Sequence, residues 1–316
     1  MSFLAKCKRL IYPQMVFMLL ICTFPDVSEA RDTPDILWKR SINSDRINAT
    51  IFSWNGDYLI SGGSDRLINF WRVSDGKMTR ALNSNAPSIH ESAIESLSIT
   101  RDGNKLASSS YKVVKLWTLN PTVSVKTLSL HTDWVVGVAF SPDGALLASA
   151  SFDGTVRIWK SSDGTALKVL KGQGGLARTV SFSPDGNYLA SSGGGDNKIL
   201  IWKTSDWSLT KALTGHQADV YSISFSPDSQ MIASGGYDRT ARLWSLSAGT
   251  ELARFSGNGN VYGVGFSPDN QYMAFTDGEG GTIRLVRVAD NQVIRTFTDE
   301  TENVQCLAFS NQGLLA

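Results

Sequence analysis

His131, Ser149, Asp153 and Trp159 recur as His216, Ser234, Asp238 and Trp244, with the same offsets of 18, 22 and 28 from the histidine in both sets. An imidazole, a hydroxyl and a carboxylate in hydrogen-bonding order are the ingredients of acyl transfer, where the base activates the hydroxyl and the carboxylate orients the base. The same atoms can also serve without chemistry. A neutral imidazole donates from one nitrogen and accepts at the other, a buried carboxylate needs donors and an indole N–H needs an acceptor, so the four groups can satisfy one another. The duplication decides for the second use. A nucleophile must face a substrate, and acyl transfer calls neither for a tryptophan at a fixed offset nor for a second copy of the apparatus.

The other candidates for chemistry are thin. Of the three histidines only His90 is left over, in the polar stretch from Ser84 to Ser92, which is expected to form a long loop. No histidine or cysteine cluster has metal-ligand spacing. The Asp-Gly pairs at 143, 153, 163 and 185 lack the alternating oxygen ligands and closing glutamate of a compact calcium loop and are expected to be hairpin turns. Gly193-Gly194-Gly195 is followed by no helix that could lend its dipole to a phosphate. The sequon Asn48-Ala49-Thr50 falls in an expected strand. Neither a metal nor a cofactor is expected.

What positions the two sets is a repeat. Val138-Ala-Phe-Ser-Pro-Asp-Gly leads to Trp159, Val180-Ser-Phe-Ser-Pro-Asp-Gly to Trp202, and Ile223-Ser-Phe-Ser-Pro-Asp-Ser to Trp244. Ser53, Thr100, Ser141, Ser183, Ser226, Ser267 and Ser310 mark seven copies spaced 41 to 47 residues apart. Within one copy, 135–140, 146–151, 155–160 and 166–170 read as four short strands joined by tight turns. Such a sheet is apolar on both faces and cannot shield itself, so neighbouring copies must stack. Radial stacking closes into a β-propeller and leaves only short edges.

These motifs resemble the WD-repeat β-propellers from about residue 35 to the C-terminus. The resemblance implies an all-β propeller of seven blades centred on 47–80, 94–127, 135–170, 177–212, 220–254, 261–296 and a partial 304–316. Ile36-Leu37-Trp38-Lys39 matches Leu200-Ile201-Trp202-Lys203, so 35–42 is expected to close the last, incomplete blade. The resemblance also implies that each blade is pinned by a tetrad of His, Ser or Thr, Asp and Trp. The first blade has Asn43 at the histidine position and the fourth Gln173, the second has Tyr111-Lys112 in a shortened turn, and the sixth has Val286 instead of tryptophan.

In this family partners bind one face of the disc, through residues flanking the start of the inner strand and the residue before the tetrad aspartate. By position these include Arg46, Asn48, Glu95, Trp134, Val136, Arg178, Asp219, Tyr221 and Tyr262, with Phe152 and Tyr237 at the turns and Glu279 as a less secure turn position. Trp134, Phe152, Tyr221, Tyr237 and Tyr262 concentrate aromatics at solvent-facing positions, and aromatic anchors dominate binding hot spots. The alternative is that they pack against neighbouring blades.

Lys6, Lys8 and Arg9 precede an apolar run from Val16 to Ile21 and the small-residue pair Ser28 and Ala30. This pattern reads as a secretory signal over 1–30 with cleavage after Ala30. The run is too short to span a bilayer, so no stable membrane insertion is expected, and the alternative is an uncleaved anchor. After cleavage only Cys306 remains and no intrachain disulfide can form. A net charge of +1 without a basic stripe argues against nucleic acid as a partner. The expected function is a secreted or periplasmic, non-enzymatic scaffold for a protein or peptide. The alternatives are a ligand-sensing or enzymatic propeller with a site at the central channel, and an intracellular or membrane-tethered adaptor.

Overall fold

The computed structural model describes residues 17–23, 35–42, 46–82, 90–120, 123–172, 174–278, 281–298 and 304–316, with side chains from residue 46 onward. Six four-stranded antiparallel sheets follow one another, each a simple meander. Blade 1 is Ile47–Phe52, Tyr58–Gly63, Ile68–Arg72 and Met78–Leu82. Blade 2 is Ser96–Ile99, Lys105–Ser109, Val114–Thr118 and Ser124–Leu128, and blade 3 is Val135–Phe140, Leu146–Ser151, Val156–Lys160 and Ala166–Leu170. Blade 4 runs from Leu176–Phe182 through Tyr188–Gly194 and Ile199–Lys203 to Leu209–Leu213. Blade 5 comprises Val220–Phe225, Met231–Gly236, Thr240–Ser245 and Glu251–Ser256, and blade 6 Val264–Phe266, Tyr272–Thr276, Thr282–Arg287 and Gln292–Thr298.

The Ser-Pro-Asp-Gly turn explains why the first two strands of each copy fold back on each other. Ser141 Oγ donates to Asp143 Oδ1 at 2.5 Å and accepts from Leu146 N at 2.9 Å, while Gly144, at φ +70°, donates to Ser141 O at 2.8 Å. A hydroxyl that closes its own turn replaces backbone pairing the turn cannot make. Ser183, Ser226 and Ser267 repeat the arrangement.

The core is not a single ball but a slab at every junction between sheets. Ala148, Val156 and Ile158 of blade 3 meet Val180, Phe182, Leu189 and Trp202 of blade 4, and equivalent slabs join blades 1 and 2, 2 and 3, 4 and 5, and 5 and 6. Second strands are buried almost throughout, whereas the outer strands carry exposed Leu167, Val169, Leu209, Leu252 and Val293. Burial therefore falls from the inner strands to the rim, as expected for sheets that bury their faces only against each other.

The ring is completed by the C-terminal copy. Val304, Leu307, Phe309 and Leu315 pack on blade 6, and Ala308, Leu314 and Ala316 pack on blade 1. Where a seventh blade was expected, this copy contributes a bridge between Phe309 and Leu315 and paired bonds between Ala308 and Ala316 at 2.8 and 2.9 Å. The expected closure by 35–42 is corrected: Asp35–Ile42 pairs antiparallel with Phe17–Thr23, from Phe17↔Ile42 to Thr23↔Asp35. The partner run, Phe-Met-Leu-Leu-Ile-Cys-Thr, is apolar or β-branched throughout, a composition that suits a strand. The expected cleavage position at Ala30 and the positions Asn43, Gln173 and Glu279 lie outside the described residues.

Candidate functional site

The two tetrads form as bonded networks. His131 stands 2.7 Å from Asp153 Oδ2 through Nδ1 and 2.8 Å from Ser149 Oγ through Nε2, and Trp159 Nε1 donates to the same Ser149 Oγ at 2.8 Å. His216 bonds Asp238 at 2.9 Å and Ser234 at 2.7 Å, with Trp244 Nε1 donating to Ser234 at 2.8 Å. A carboxylate only accepts, so Nδ1 carries the proton and Nε2 accepts from the serine hydroxyl. That hydroxyl points its proton at the imidazole and its lone pair at the indole. Burial pushes the His131 imidazole below its ordinary value, which keeps it neutral, and the Asp153 bond offsets only part of this. Burial alone would raise the Asp153 and Asp238 carboxyls, but hydrogen bonds from Thr155 and His131, and from His216, Gln217 N and Thr240, hold both below the ordinary carboxylate range. Both serines are fully buried, which rules out a substrate-facing nucleophile.

Other blades solve the same problem differently. His90, expected in a loop, is fully buried, and its Nε2 lies 2.7 Å from Ser108 Oγ, which also accepts from Trp117 Nε1 at 2.8 Å. It is the tetrad histidine of blade 2, and its offset of 18 from Ser108 was the signal that could have revealed it. Trp71 and Trp202 donate to Ser61 and Ser191 at 2.8 and 2.7 Å. In blade 6, which lacks the tryptophan, the buried Asp277 carboxylate takes the place a side chain at Gly257 would occupy and pairs with Arg284 at 2.5 Å.

Several of the residues expected on a partner face line one mouth of the channel, and a backbone irregularity puts four of them there. The first strands of blades 1, 3, 4 and 5 each bulge by one residue against their second strands, between Ile47 and Ala49, Val135 and Gly137, Ala177 and Thr179, and Val220 and Ser222. The residues skipped by the register are Asn48, Val136, Arg178 and Tyr221. A bulge re-aims its extra side chain, and all four line one cavity of about 260 Å³ together with Arg46, Glu95, Trp134, Phe152 and Gln305.

The walls are held by contacts among themselves. The Arg178 guanidinium lies 5.0, 5.5 and 5.4 Å from the ring centres of Phe152, Tyr221 and Tyr237 and pairs with Asp219 at 2.9 Å. Tyr221 packs edge-on to Tyr262 at 5.2 Å and tilted to Tyr237 at 5.4 Å, and Trp134 packs on Tyr111 at 5.3 Å. The five aromatics expected at solvent-facing positions are each half-buried instead of exposed, because they stack across blades as well as facing the mouth. Burial raises the Tyr221 and Tyr237 phenols above their ordinary value. Gln305, which the sequence reading passed over, is the C-terminal counterpart of Val136, Arg178 and Tyr221, one residue after the strand-opening valine or equivalent. The opposite mouth is ringed by Phe140, Phe182, Phe225, Phe266 and Phe309 and by the turn prolines, with Arg101, Ser141, Ser310 and Asn311 as its polar lining.

Among the described residues no group of His, Cys, Asp and Glu could hold a metal ion, and no helix is long and apolar enough to cross a membrane.

The family model for the WD domain, G-beta repeat (WD40) matches residues 39–72, 86–118, 122–160, 164–203, 207–245 and 249–286. The chain belongs to the WD40 repeat family. It is 33% identical over 146 residues, 43% of its length, to apoptotic protease-activating factor 1 of Rattus norvegicus. It is 33% identical over 144 residues, 42% of its length, to the chromatin assembly factor 1 subunit FAS2 homolog of Oryza sativa, and 33% identical over 161 residues, 47% of its length, to nuclear distribution protein PAC1 of Arthroderma benhamiae. These matches cover 11%, 28% and 34% of the relatives' own lengths.

Proposed function

We propose that this propeller is a non-enzymatic scaffold that binds a protein or peptide at the mouth lined by Trp134, Phe152 and Tyr221, with Tyr237 and Tyr262 stacked on Tyr221, and with Arg46, Arg178 and Asp219 among the charged groups of the same face. The observation that carries this reading is the packing of the aromatics around Arg178. Large rings held at a surface by neighbours lose little freedom when a partner covers them, and such groups supply most of the affinity at interfaces. Membership in a family whose relatives include a subunit of a chromatin assembly factor supports an interaction role; which partner is bound is not carried over from them.

Export is part of the proposal and rests on the Lys6, Lys8, Arg9, apolar-run and Ala30 pattern alone. Affinity capture on the immobilised chain, with Trp134→Ala beside it, tests the binding face: a specific partner lost from the variant supports it, and equal recovery sinks it. Intact mass of the protein recovered from its native host tests export, since a mature chain beginning at Arg31 is the expected product.

A further inference from the structure

Arg178 and Asp219 pair with each other within the mouth, whereas the two remaining charges of the cavity make no direct ion pair. Arg46 is held by the side chain of Gln305 and makes no ion pair with Glu95. Glu95 is tied to its blade by its backbone N–H, which donates to Ser109 O at 3.0 Å, while its carboxylate has no hydrogen-bond partner among the described residues. Burial pushes this carboxyl up, and Arg46 draws it part of the way back. A guanidinium and a carboxylate that form no ion pair thus share a cavity whose walls also include Trp134, Val136, Phe152 and Tyr221, with Asn48, Arg178 and Gln305.

The pairing of charges selects the ligand. An anion seated on Arg46 would face the Glu95 carboxylate, and a cation seated on Glu95 would face Arg46. Arg46 is exposed and Glu95 half-buried, so an anion alone leaves the half-buried carboxylate uncompensated, which is costly, and a cation alone is opposed by the guanidinium. A ligand bearing both charges satisfies both. Asn48 turns its Nδ2 to Ile94 O at 3.0 Å, which leaves its carbonyl oxygen as a further acceptor for an ammonium group. At about 260 Å³ the cavity lies below the range of about 300–1,000 Å³ typical of sites for drug-sized ligands, so the occupant is small.

We propose that the channel mouth is a receptor for a small zwitterion with an apolar body, a free α-amino acid or a dipeptide, its carboxylate on Arg46 and its ammonium on Glu95. Gln305 makes the C-terminal copy part of this site by fixing the Arg46 guanidinium. The assignment goes beyond the scaffold role and does not depend on it.

Calorimetric titration of the full chain with leucine, leucyl-leucine, leucinamide and N-acetyl-leucine tests it. Leucine or the dipeptide is expected to bind at least tenfold more tightly than the amide, which lacks the carboxylate, and the N-acetyl compound, which lacks the ammonium. Which of the two zwitterions binds reports the span between Arg46 and Glu95. Glu95→Gln is expected to abolish the preference for leucine over N-acetyl-leucine, and Arg46→Gln the preference over leucinamide. Zwitterions that bind no better than their blocked forms, or no binding by any of the four compounds, overturn the proposal. If a variant fails to fold, the comparison among the compounds on the unaltered chain still decides. Loss of leucine binding in Glu95→Gln with protein capture retained leaves the scaffold reading standing.

Discussion

His90 Nε2 stands 2.7 Å from Ser108 Oγ, the same join that His131 makes with Ser149 at 2.8 Å and His216 with Ser234 at 2.7 Å. Blade 2 differs in what lies on the other side of the ring. Tyr111 and Lys112 occupy its shortened turn, and the buried cation Lys115 lies nearby. Burial first, and Lys115 second, hold the His90 imidazole down to about 3 from an ordinary 6.5.

This predicts an acid dependence of stability. The unfolded chain takes up a proton that the folded chain refuses, so the His90 contribution is complete above pH 6.5 and is lost as pH falls from there toward about 3. His131 acts in the same sense. The urea midpoint should fall between pH 7 and pH 5, above the range in which carboxylates protonate, and His90→Gln should show a shallower fall. A variant with the same slope as the unaltered chain would remove His90 from this role.

The tetrads of blades 3 and 5 are not equivalent. Arg242, 1% exposed, bonds Asp238 Oδ2 at 3.0 Å, Glu251 at 2.7 Å and Thr240 at 3.0 Å, whereas Arg157 at the matching position of blade 3 makes no bond to Asp153. Asp153→Ala and His131→Ala should each cost about 2–4 kcal/mol by leaving buried polar partners unsatisfied. Asp238→Ala should cost more, about 3–5 kcal/mol, because it also strands a buried guanidinium. Equal losses in urea unfolding would show that Arg242 finds full compensation from Glu251.

Close approach between blades sets a third expectation. A methyl group added at Gly235 would come within 2.5 Å of Val261 Cγ1 and 3.0 Å of its carbonyl oxygen. Gly235→Ala should therefore overpack the junction of blades 5 and 6 and cost about 1–3 kcal/mol. The backbone there is ordinary strand, so unchanged stability would mean that the sheets separate without penalty.

Much of this was legible in the sequence because the repeat couples local and tertiary signals. The turn serines gave the strand order, and the offsets from His131 and His216 gave the bonded sets. The misses have physical reasons. His90 was taken for a loop residue because its neighbours are polar, although burial follows from the Ser108 and Trp117 it must reach. Asp277 and Arg284 form a pair that no tetrad pattern describes. The pairing of 35–42 with 17–23 turned on competition between two possible strand partners, which similarity of Trp38 to Trp202 could not rank. Arg178 was expected beside Phe152, Tyr221 and Tyr237, but its position among the three rings depends on a one-residue bulge that composition does not announce.

Arg178 is the residue on which the proposed binding face most depends. Its guanidinium touches the faces of Phe152, Tyr221 and Tyr237 while two bonds, at 2.9 and 3.0 Å, fix it to Asp219. Arg178→Ala removes from blade 4 the common neighbour of rings from blades 3 and 5, leaving them free to reorient. Partner capture should weaken by about tenfold or more, equivalent to ~1.4 kcal/mol, with a changed near-ultraviolet circular dichroism spectrum from the freed tyrosines. Arg178→Lys should recover little, because an ammonium can pair with Asp219 but cannot lay a planar, bidentate group across aromatic faces. Trp134→Ala, which leaves the Arg178 cluster untouched, should reduce capture without loosening the rings around Arg178. Full capture by Arg178→Ala, or complete rescue by lysine, would show that charge alone matters at this face and that the rings contribute only to packing between blades.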